Sequence, residues 1–158
     1  MERERVVSED RRVMVAIDEH EGSFYALEWA LKNLHESIAN SHLVVFTAQP
    51  TSEFSYIRAL EPRELKREIQ EDQKKAATAL LENAREVCNR YGVTPELITE
   101  VGNPKDAIKA AVDRLHINLL IVGSHGEGAF KRAFLGSVTN YLVHNVHCQV
   151  LVVKTKPT

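Results

Sequence analysis

The stretch "NLLIVGSHGEGAFKRAFLGS", residues 118–137, carries the pattern that decides the fold. An apolar run typical of a buried strand leads into a segment with four glycines and two cations, and Gly136 and Ser137 then open a helical pattern. In a parallel α/β sheet the ligand crevice lies outside the carboxyl ends of the strands. Glycine backbone and a helix N-terminus both offer N–H groups to an anion there. The stretch therefore predicts a phosphate site at the end of a strand.

Strand and helix patterns alternate along the rest of the chain. Short runs rich in β-branched residues predict strands at residues 12–17, 42–48, 95–101, 118–123 and 149–154. Helical periodicity predicts helices at residues 24–38, 62–91, 104–116 and 137–145. The second helix is expected to end at Gly92 and to face the core with Leu65, Ile69, Ala76, Leu80, Ala84 and Val87. This alternation predicts one α/β domain with a parallel sheet wound on both faces.

Composition limits the functional classes. The chain has 158 residues, 44% of them hydrophobic, which fits one globular domain with a full core. Its formal charge of −2 does not indicate a nucleic-acid-binding protein, which would typically be basic. No apolar run reaches the length of a membrane span. Cys88 and Cys148 lack CxxC spacing and predict reduced thiols. We expect a location in the cytoplasm, with the nucleus as an additional one, and a domain at residues 11–156 behind a mobile charged tail at residues 1–10.

The glycine-rich stretch supplies candidate phosphate ligands. They are the backbone of Gly123, Gly126, Gly128 and Gly136, the hydroxyls of Ser124 and Ser137, and the side chains of His125 and of Lys131 or Arg132. A simple turn is the alternative interpretation of the glycines. The stretch lacks the Gly-Lys-Ser/Thr ending of a P-loop, and a dinucleotide fingerprint would follow the first strand instead. Asp18, at the end of the first strand, can accept a hydrogen bond from a ribose or an exocyclic amine, or can cap a loop or helix.

The spacing Gly123-x2-Gly126-x9-Gly136-Ser137, with "LLIVGSHG" before it and "QVLVVK" after it, resembles the nucleotide-binding signature of the universal stress protein family. The opening "VMVAIDEHEGSFYALEWAL" resembles the family's first strand, acidic turn and helix, and "YALEWALKNL" is similar to its plant members. The resemblance implies a five-stranded parallel sheet in the order 3-2-1-4-5, of the adenine nucleotide alpha hydrolase-like type. It also implies a bound adenine nucleotide, ATP or AMP, with Mg²⁺ as an option beside the triphosphate.

The family pattern transfers to named positions of this chain. It implies that the adenine and the adjoining sugar are held by Ala16, Asp18 and the backbone of Ala48. It implies that the ribose and phosphates are held by Gly123, Ser124, His125, Gly126, Gly136 and Ser137, to which the glycine-rich stretch adds Gly128 and Arg132. Two positions depart from the family pattern. His20 stands where the family often has Ser, near the triphosphate, and Gln149 stands where it often has Pro.

Three functional classes stay open. The resemblance favours a stress-response or signalling protein that acts as a nucleotide-dependent switch for partner binding. A slow ATPase is the second class, for which no catalytic residue is assigned, because phosphoryl transfer needs fixed metal ligands and Glu127 is the one acidic residue beside the glycines. A chaperone-like scaffold that works without nucleotide is the third.

Segments outside the glycine-rich stretch carry separate predictions. The strand at residues 150–153 is apolar and expected at a sheet edge, so it predicts a homodimer formed by two such strands. The spacing His144-x2-His147-Cys148 provides too few ligands to predict zinc. The segment 50–61 is expected to be a loop whose apolar residues anchor it or, alternatively, cover the crevice as a lid.

Overall fold

The computed structural model describes residues 11–50, 62–124 and 136–155. Its centre is a five-stranded sheet in which every neighbouring pair of strands is parallel. The order is β3-β2-β1-β4-β5, which confirms the expected 3-2-1-4-5 arrangement. The strands are β1 (Arg12–Ala16), β2 (His42–Gln49), β3 (Glu96–Val101), β4 (Leu119–Gly123) and β5 (Gln149–Val153).

Helices connect the strands and cover both faces of the sheet. They are α1 (Glu21–Asn33), α2 (His35–Ala39), α3 (Arg63–Arg90), α4 (Pro104–Arg114) and α5 (Ser137–Asn145). Where one helix is predicted at residues 24–38, the structure has two, because Leu34 leaves helical geometry with φ −120° and ψ 25°. At this break the side-chain amide of Asn33 donates to the Trp29 carbonyl at 2.9 Å. None of the described helices is long and apolar enough to span a membrane.

Helix α3 is the longest element, and only its C-terminal half is buried against the sheet. At 28 residues it is about 42 Å long, whereas a strand of five residues extends about 17 Å. The predicted core stripe is therefore wrong at its start, where Leu65 is 43% exposed and Ala76 is also exposed. In adjacent apolar pairs such as Leu80-Leu81, periodicity allows either residue to face the core. In the structure the second residue of each pair is the more deeply buried one. The buried stripe is Ala77, Leu81, Ala84 and Cys88.

Helix α3 ends at the predicted glycine. Gly92 has a φ of 71°, a left-handed conformation that glycine adopts without steric cost. Its N–H donates to the Asn89 carbonyl, and the N–H of Val93 donates to the Cys88 carbonyl, both at 3.0 Å. These two bonds form the motif that commonly closes a helix C-terminus and turn the chain towards β3.

The core has two layers, one on each face of the sheet. Alternate residues of β1 divide between them, so that Val13 and Val15 pack with α1, α2 and α3 while Met14 packs with α4 and α5. Strands buried on both faces are expected to be apolar at every position, as β1 and β2 largely are. Helices on both sides therefore hold the carboxyl ends of the central strands, where the site lies.

Candidate functional site

A cleft opens at the carboxyl ends of β1 and β4, where the winding of the sheet reverses. The two strands pair from Val13↔Leu119 to Val15↔Ile121, beyond which β4 pairs with β5 and β1 with β2. The cleft has a volume of about 470 Å³, which suits a small molecule. Its described lining is Ala16, Ile17, Asp18, His20, Ser23, Ala48, Pro104, Ile108, Val122, Gly123, Gly136, Ser137, Val138, Thr139 and Leu142.

The segment between β1 and α1 is folded around Asp18. Its Oδ1 accepts a hydrogen bond from the His20 N–H at 2.9 Å, and its Oδ2 lies 3.1 Å from His20 Nδ1. The buried hydroxyl of Ser23 accepts from the Asp18 N–H at 3.0 Å and lies within hydrogen-bond distance of the Asp18 and His20 carbonyls. The Asp18 side chain is still 54% exposed. The carboxylate therefore closes the turn before α1 and also presents a face to the cleft.

Helix α5 begins on another wall of the cleft, and its N-cap residue has no side chain. The N–H groups of Ser137, Val138 and Thr139 lie in the first helical turn, which contains no helical acceptor for them. The N-cap residue Gly136 has φ −56° and ψ 156°, a conformation open to any residue, and supplies no side-chain cap. Its φ therefore does not explain the glycine. A first turn of this kind attracts anions.

Hydrogen bonds fix both ends of the glycine-rich stretch. The Gly136 N–H donates to the Ser124 carbonyl at 2.7 Å, and the Ser124 N–H donates to the Val153 carbonyl at 3.0 Å. The Thr139 hydroxyl donates to the Gly123 carbonyl at 2.8 Å. These bonds join β4, β5 and α5 beside the cleft. They also mean that the N–H groups of Gly136 and Ser124 are used within the fold.

Gly123 has a packing reason of its own. A Cβ at this position would lie 2.9 Å from the Gly22 carbonyl oxygen and 3.4 Å from the Ser23 nitrogen. The end of β4 and the start of α1 thus approach too closely for any side chain. This glycine allows the segment with Asp18 and His20 to lie next to β4.

The cleft brings together most of the predicted site residues that the structure describes. Those in its lining are Ala16, Asp18, Ala48, Gly123, Gly136 and Ser137. Ser124 is buried and is not part of the lining. His125, Gly126, Gly128 and Arg132 lie outside the described residues, as do the predicted tail and residues 51–61 of the predicted loop.

The sequence model of the universal stress protein family matches residues 10–154. The chain belongs to this family. One curated relative, the universal stress protein A-like protein of Arabidopsis thaliana, is 29% identical over 162 residues, covering 93% of this chain and 91% of the relative. The family membership expected from the glycine spacing is confirmed.

Solved universal stress proteins share the fold. One from Arabidopsis thaliana with AMP bound is 24% identical, with a TM-score of 0.69 over 92% of this chain and 92% of that chain. Another, in complex with cAMP, is 25% identical, with a TM-score of 0.69 over 92% of this chain and 98% of that chain. Their likeness extends over nearly the whole α/β architecture of this universal stress protein.

Sequence reasoning missed the apolar wall of this universal stress protein's cleft. Pro104 and Ile108 of α4 and Leu142 of α5 line it. Periodicity assigns residues such as Ile108 and Leu142 to core-facing stripes, and both are indeed buried. Only the strand order shows that α4 starts at the carboxyl edge of the sheet. Thr139 weakly indicated a site in the sequence, since it is a polar residue on the buried face of α5.

The cysteines and the His144 spacing contribute nothing to the described cleft lining. Burial raises the pKa of the Cys88 thiol to about 11 and also raises the pKa of the Cys148 thiol above its ordinary value. Both thiols are therefore protonated at neutral pH. His144 Nδ1 lies 2.8 Å from the Asn140 carbonyl oxygen. Within residues 11–50, 62–124 and 136–155, no three histidine, cysteine or acidic side chains could hold a metal ion.

Proposed function

We propose that this universal stress protein binds an adenine nucleotide in the cleft, with the base towards Ala16 and Ala48 and the phosphates at the N-terminus of α5. The observation that carries the proposal is the first turn of α5, whose N-cap residue Gly136 supplies no side-chain cap, on the wall of a cleft that also contains Asp18. A helix N-terminus favours phosphate, and a carboxylate accepts hydrogen bonds from a ribose or an exocyclic amine. One cleft thus offers suitable groups for both ends of a nucleotide.

The apolar lining supports an aromatic base as the other part of the ligand. Ile17, Pro104, Ile108 and Leu142 contribute apolar surface to the cleft. Small-molecule sites typically combine such walls with a few polar groups that fix orientation. The AMP and cAMP in the two solved relatives have adenosine and phosphate in common, which supports the same ligand class here.

Binding rather than turnover is the proposed activity. ATP or AMP occupies the site, Mg²⁺ accompanies the triphosphate, and the nucleotide state controls partner affinity in a stress or signalling response. Asp18 is the one carboxylate among the described lining residues, and phosphoryl transfer needs more fixed metal ligands than that. A slow ATPase would instead show phosphate release that survives stringent purification and disappears in a variant of the phosphate site such as Gly136→Asp.

The nucleoside half of the proposal is tested by Asp18→Ala. We expect AMP and ATP to bind about tenfold more weakly, a loss of about 1.4 kcal/mol for each, because Asp18 acts on the nucleoside that both share. Isothermal titration calorimetry measures both affinities, and thermal melts check the fold. Asp113→Ala is the matched control, since Asp113 is an exposed carboxylate on α4 that pairs with Lys109 at 3.5 Å. Equal affinities in Asp18→Ala and the wild type would contradict the assignment.

We also propose a homodimer formed through β5, because the two edges of the sheet differ in charge. On β3, Glu96 pairs with His42 and Glu100 pairs with Arg114. Charged side chains on an edge strand oppose pairing with another chain. The β5 edge carries only Gln149 and four apolar residues, of which three are half-buried. An edge of this kind suits pairing with a second copy about a two-fold axis.

The direction of the β5 backbone suggests a specific test of the dimer. The Val153 carbonyl accepts from the Ser124 N–H beside β4, so alternation along the strand directs the N–H of Val152 towards the free edge. Val152→Pro should remove that edge donor while keeping the ladder to β4. We expect analytical ultracentrifugation to show at least tenfold weaker association. Val101→Lys, on the 66% exposed end of the β3 edge, should leave the dimer intact, and a wild type that is monomeric at all concentrations would contradict the proposal.

A further inference from the structure

A histidine and the Asp18 carboxylate share one wall of the cleft. His20 lines the cleft as the N-cap residue of α1, and its side chain is 28% exposed. The backbone N–H of His20 donates to Asp18 Oδ1 at 2.9 Å, and its Nδ1 lies 3.1 Å from Asp18 Oδ2. One residue thus contacts both oxygens of the carboxylate. The imidazole ring and the carboxylate are therefore in direct contact.

Among the described lining residues, few other side chains beside this pair can carry a charge. Asp18 and His20 carry the only titratable side chains among the described lining residues, since β2, β4, α4 and α5 contribute only uncharged ones. Glu19 and Glu21 flank His20 in the sequence, and both are exposed. Lys105, in the first turn of α4, lies over the Tyr141 ring at 5.1 Å and is not in the lining. Within the described lining, a positive side-chain charge can come only from protonated His20.

We propose that His20 is a specificity-determining residue that makes the cleft favour ATP over AMP increasingly as the pH falls from 8 to 6. The inference rests on the proposed nucleotide site. Histidine ordinarily changes charge near pH 6.5, and a neighbouring carboxylate favours its charged form. Protonation of His20 adds one positive charge beside the Asp18 carboxylate and makes the cleft more favourable for every phosphate charge, so its effect grows with the charge of the ligand. Adenosine, which carries no phosphate, gains nothing from it.

The test compares the pH dependence of three ligands in three proteins. Calorimetric titration at pH 6 and pH 8 measures ATP, AMP and adenosine binding to the wild type, His20→Asn and His20→Lys. The ATP affinity of the wild type should rise by about three- to tenfold more than that of His20→Asn as the pH falls. His20→Asn is the neutral control, because it removes the ring that changes charge and retains the titration of the phosphates. The lysine of His20→Lys is positive at both pH values. This variant should therefore show, at pH 6 and at pH 8, the preference for ATP over AMP that the wild type shows at pH 6.

Each outcome distinguishes the inference from the function on which it rests. Equal pH dependence in the wild type and His20→Asn, with ATP binding intact, would overturn the role of His20 and leave the proposed function standing. The absence of nucleotide binding at either pH would overturn both. An NMR titration of the His20 ring supplies a readout in the native protein: saturating ATP should raise its titration midpoint more than saturating AMP. Equal midpoints in the two complexes would overturn the inference even where a variant fails to fold.

Discussion

Helices α4 and α5 both begin at the cleft with similar backbone geometry, but only α4 has an N-cap residue whose side chain caps the first turn. Asn103, before α4, has φ −60° and ψ 129°, and its Oδ1 accepts from the Lys105 N–H at 3.2 Å. Pro104 then has no N–H to satisfy. Gly136, before α5, has φ −56° and ψ 156° and no side chain. The two helix starts therefore differ in one side chain. The Asn103 side chain of α4 satisfies the first turn within the fold, whereas Gly136 of α5 leaves its first turn open to a ligand.

Giving α5 the kind of cap that α4 has should produce the largest effect. In Gly136→Asp, the new carboxylate would accept from the first-turn N–H groups and repel phosphate. We expect ATP to bind at least tenfold more weakly, a loss of about 1.4 kcal/mol or more, by calorimetric titration. Thermal melts of the same samples should show no loss of stability, because the N-cap conformation is open to aspartate. Wild-type ATP affinity in a folded Gly136→Asp protein would contradict the difference drawn between the two helices.

Removing the existing cap of α4 should have a smaller effect, and on stability instead of binding. Asn103→Ala deletes the acceptor of the Lys105 N–H, which typically costs about 1 kcal/mol. Urea unfolding would measure this loss, while ATP affinity should stay within about twofold of the wild-type value. A protein that kept its stability and lost ATP binding would mean that α4, and not α5, receives the phosphates.

A neutral cap on α5 should give the smallest effect. In Gly136→Ser the hydroxyl can accept from the first turn without adding charge, and replacing glycine by serine at an N-cap contributes a few tenths of a kcal/mol. The free energy of unfolding should therefore rise slightly, as chemical denaturation would show. A fall instead would mean that the space beside Gly136 is filled by the protein itself.

Most of the fold could be predicted from the sequence, because strand and helix periods differ clearly along the chain. The predicted helix at residues 137–145 and the N1 position of Pro104 agree with the structure. The buried face of α3 was predicted only in part: Ala84 is buried as expected, but pairs such as Ala76-Ala77 place apolar side chains on two adjacent faces. The break at Leu34 also escaped prediction, since the same stripe continues through it to the buried Ile38.

The positions that line the described cleft could be predicted where one residue type carries the signal, and less so where tertiary packing decides. The Gly136-Ser137 pair indicated the start of α5 directly. Gly123 was predicted as a phosphate ligand because it is a glycine at the end of a strand. The structure shows a second reason for this glycine, the close approach of the Gly22 backbone. The contact between His20 and Asp18 depends on how the turn before α1 folds, which spacing does not reveal.

A crystal structure of the protein with AMP would test the central claim most directly. We expect the phosphate oxygens within hydrogen-bonding distance of the Ser137 and Val138 N–H groups, the ribose or adenine beside Asp18, and the base against the apolar wall at Pro104 and Ile108. The ligand would then supply the hydrogen-bond acceptors for the first turn of α5, as the Asn103 side chain does for the first turn of α4. AMP bound away from this cleft, or a cleft without AMP at saturating concentration, would contradict the account.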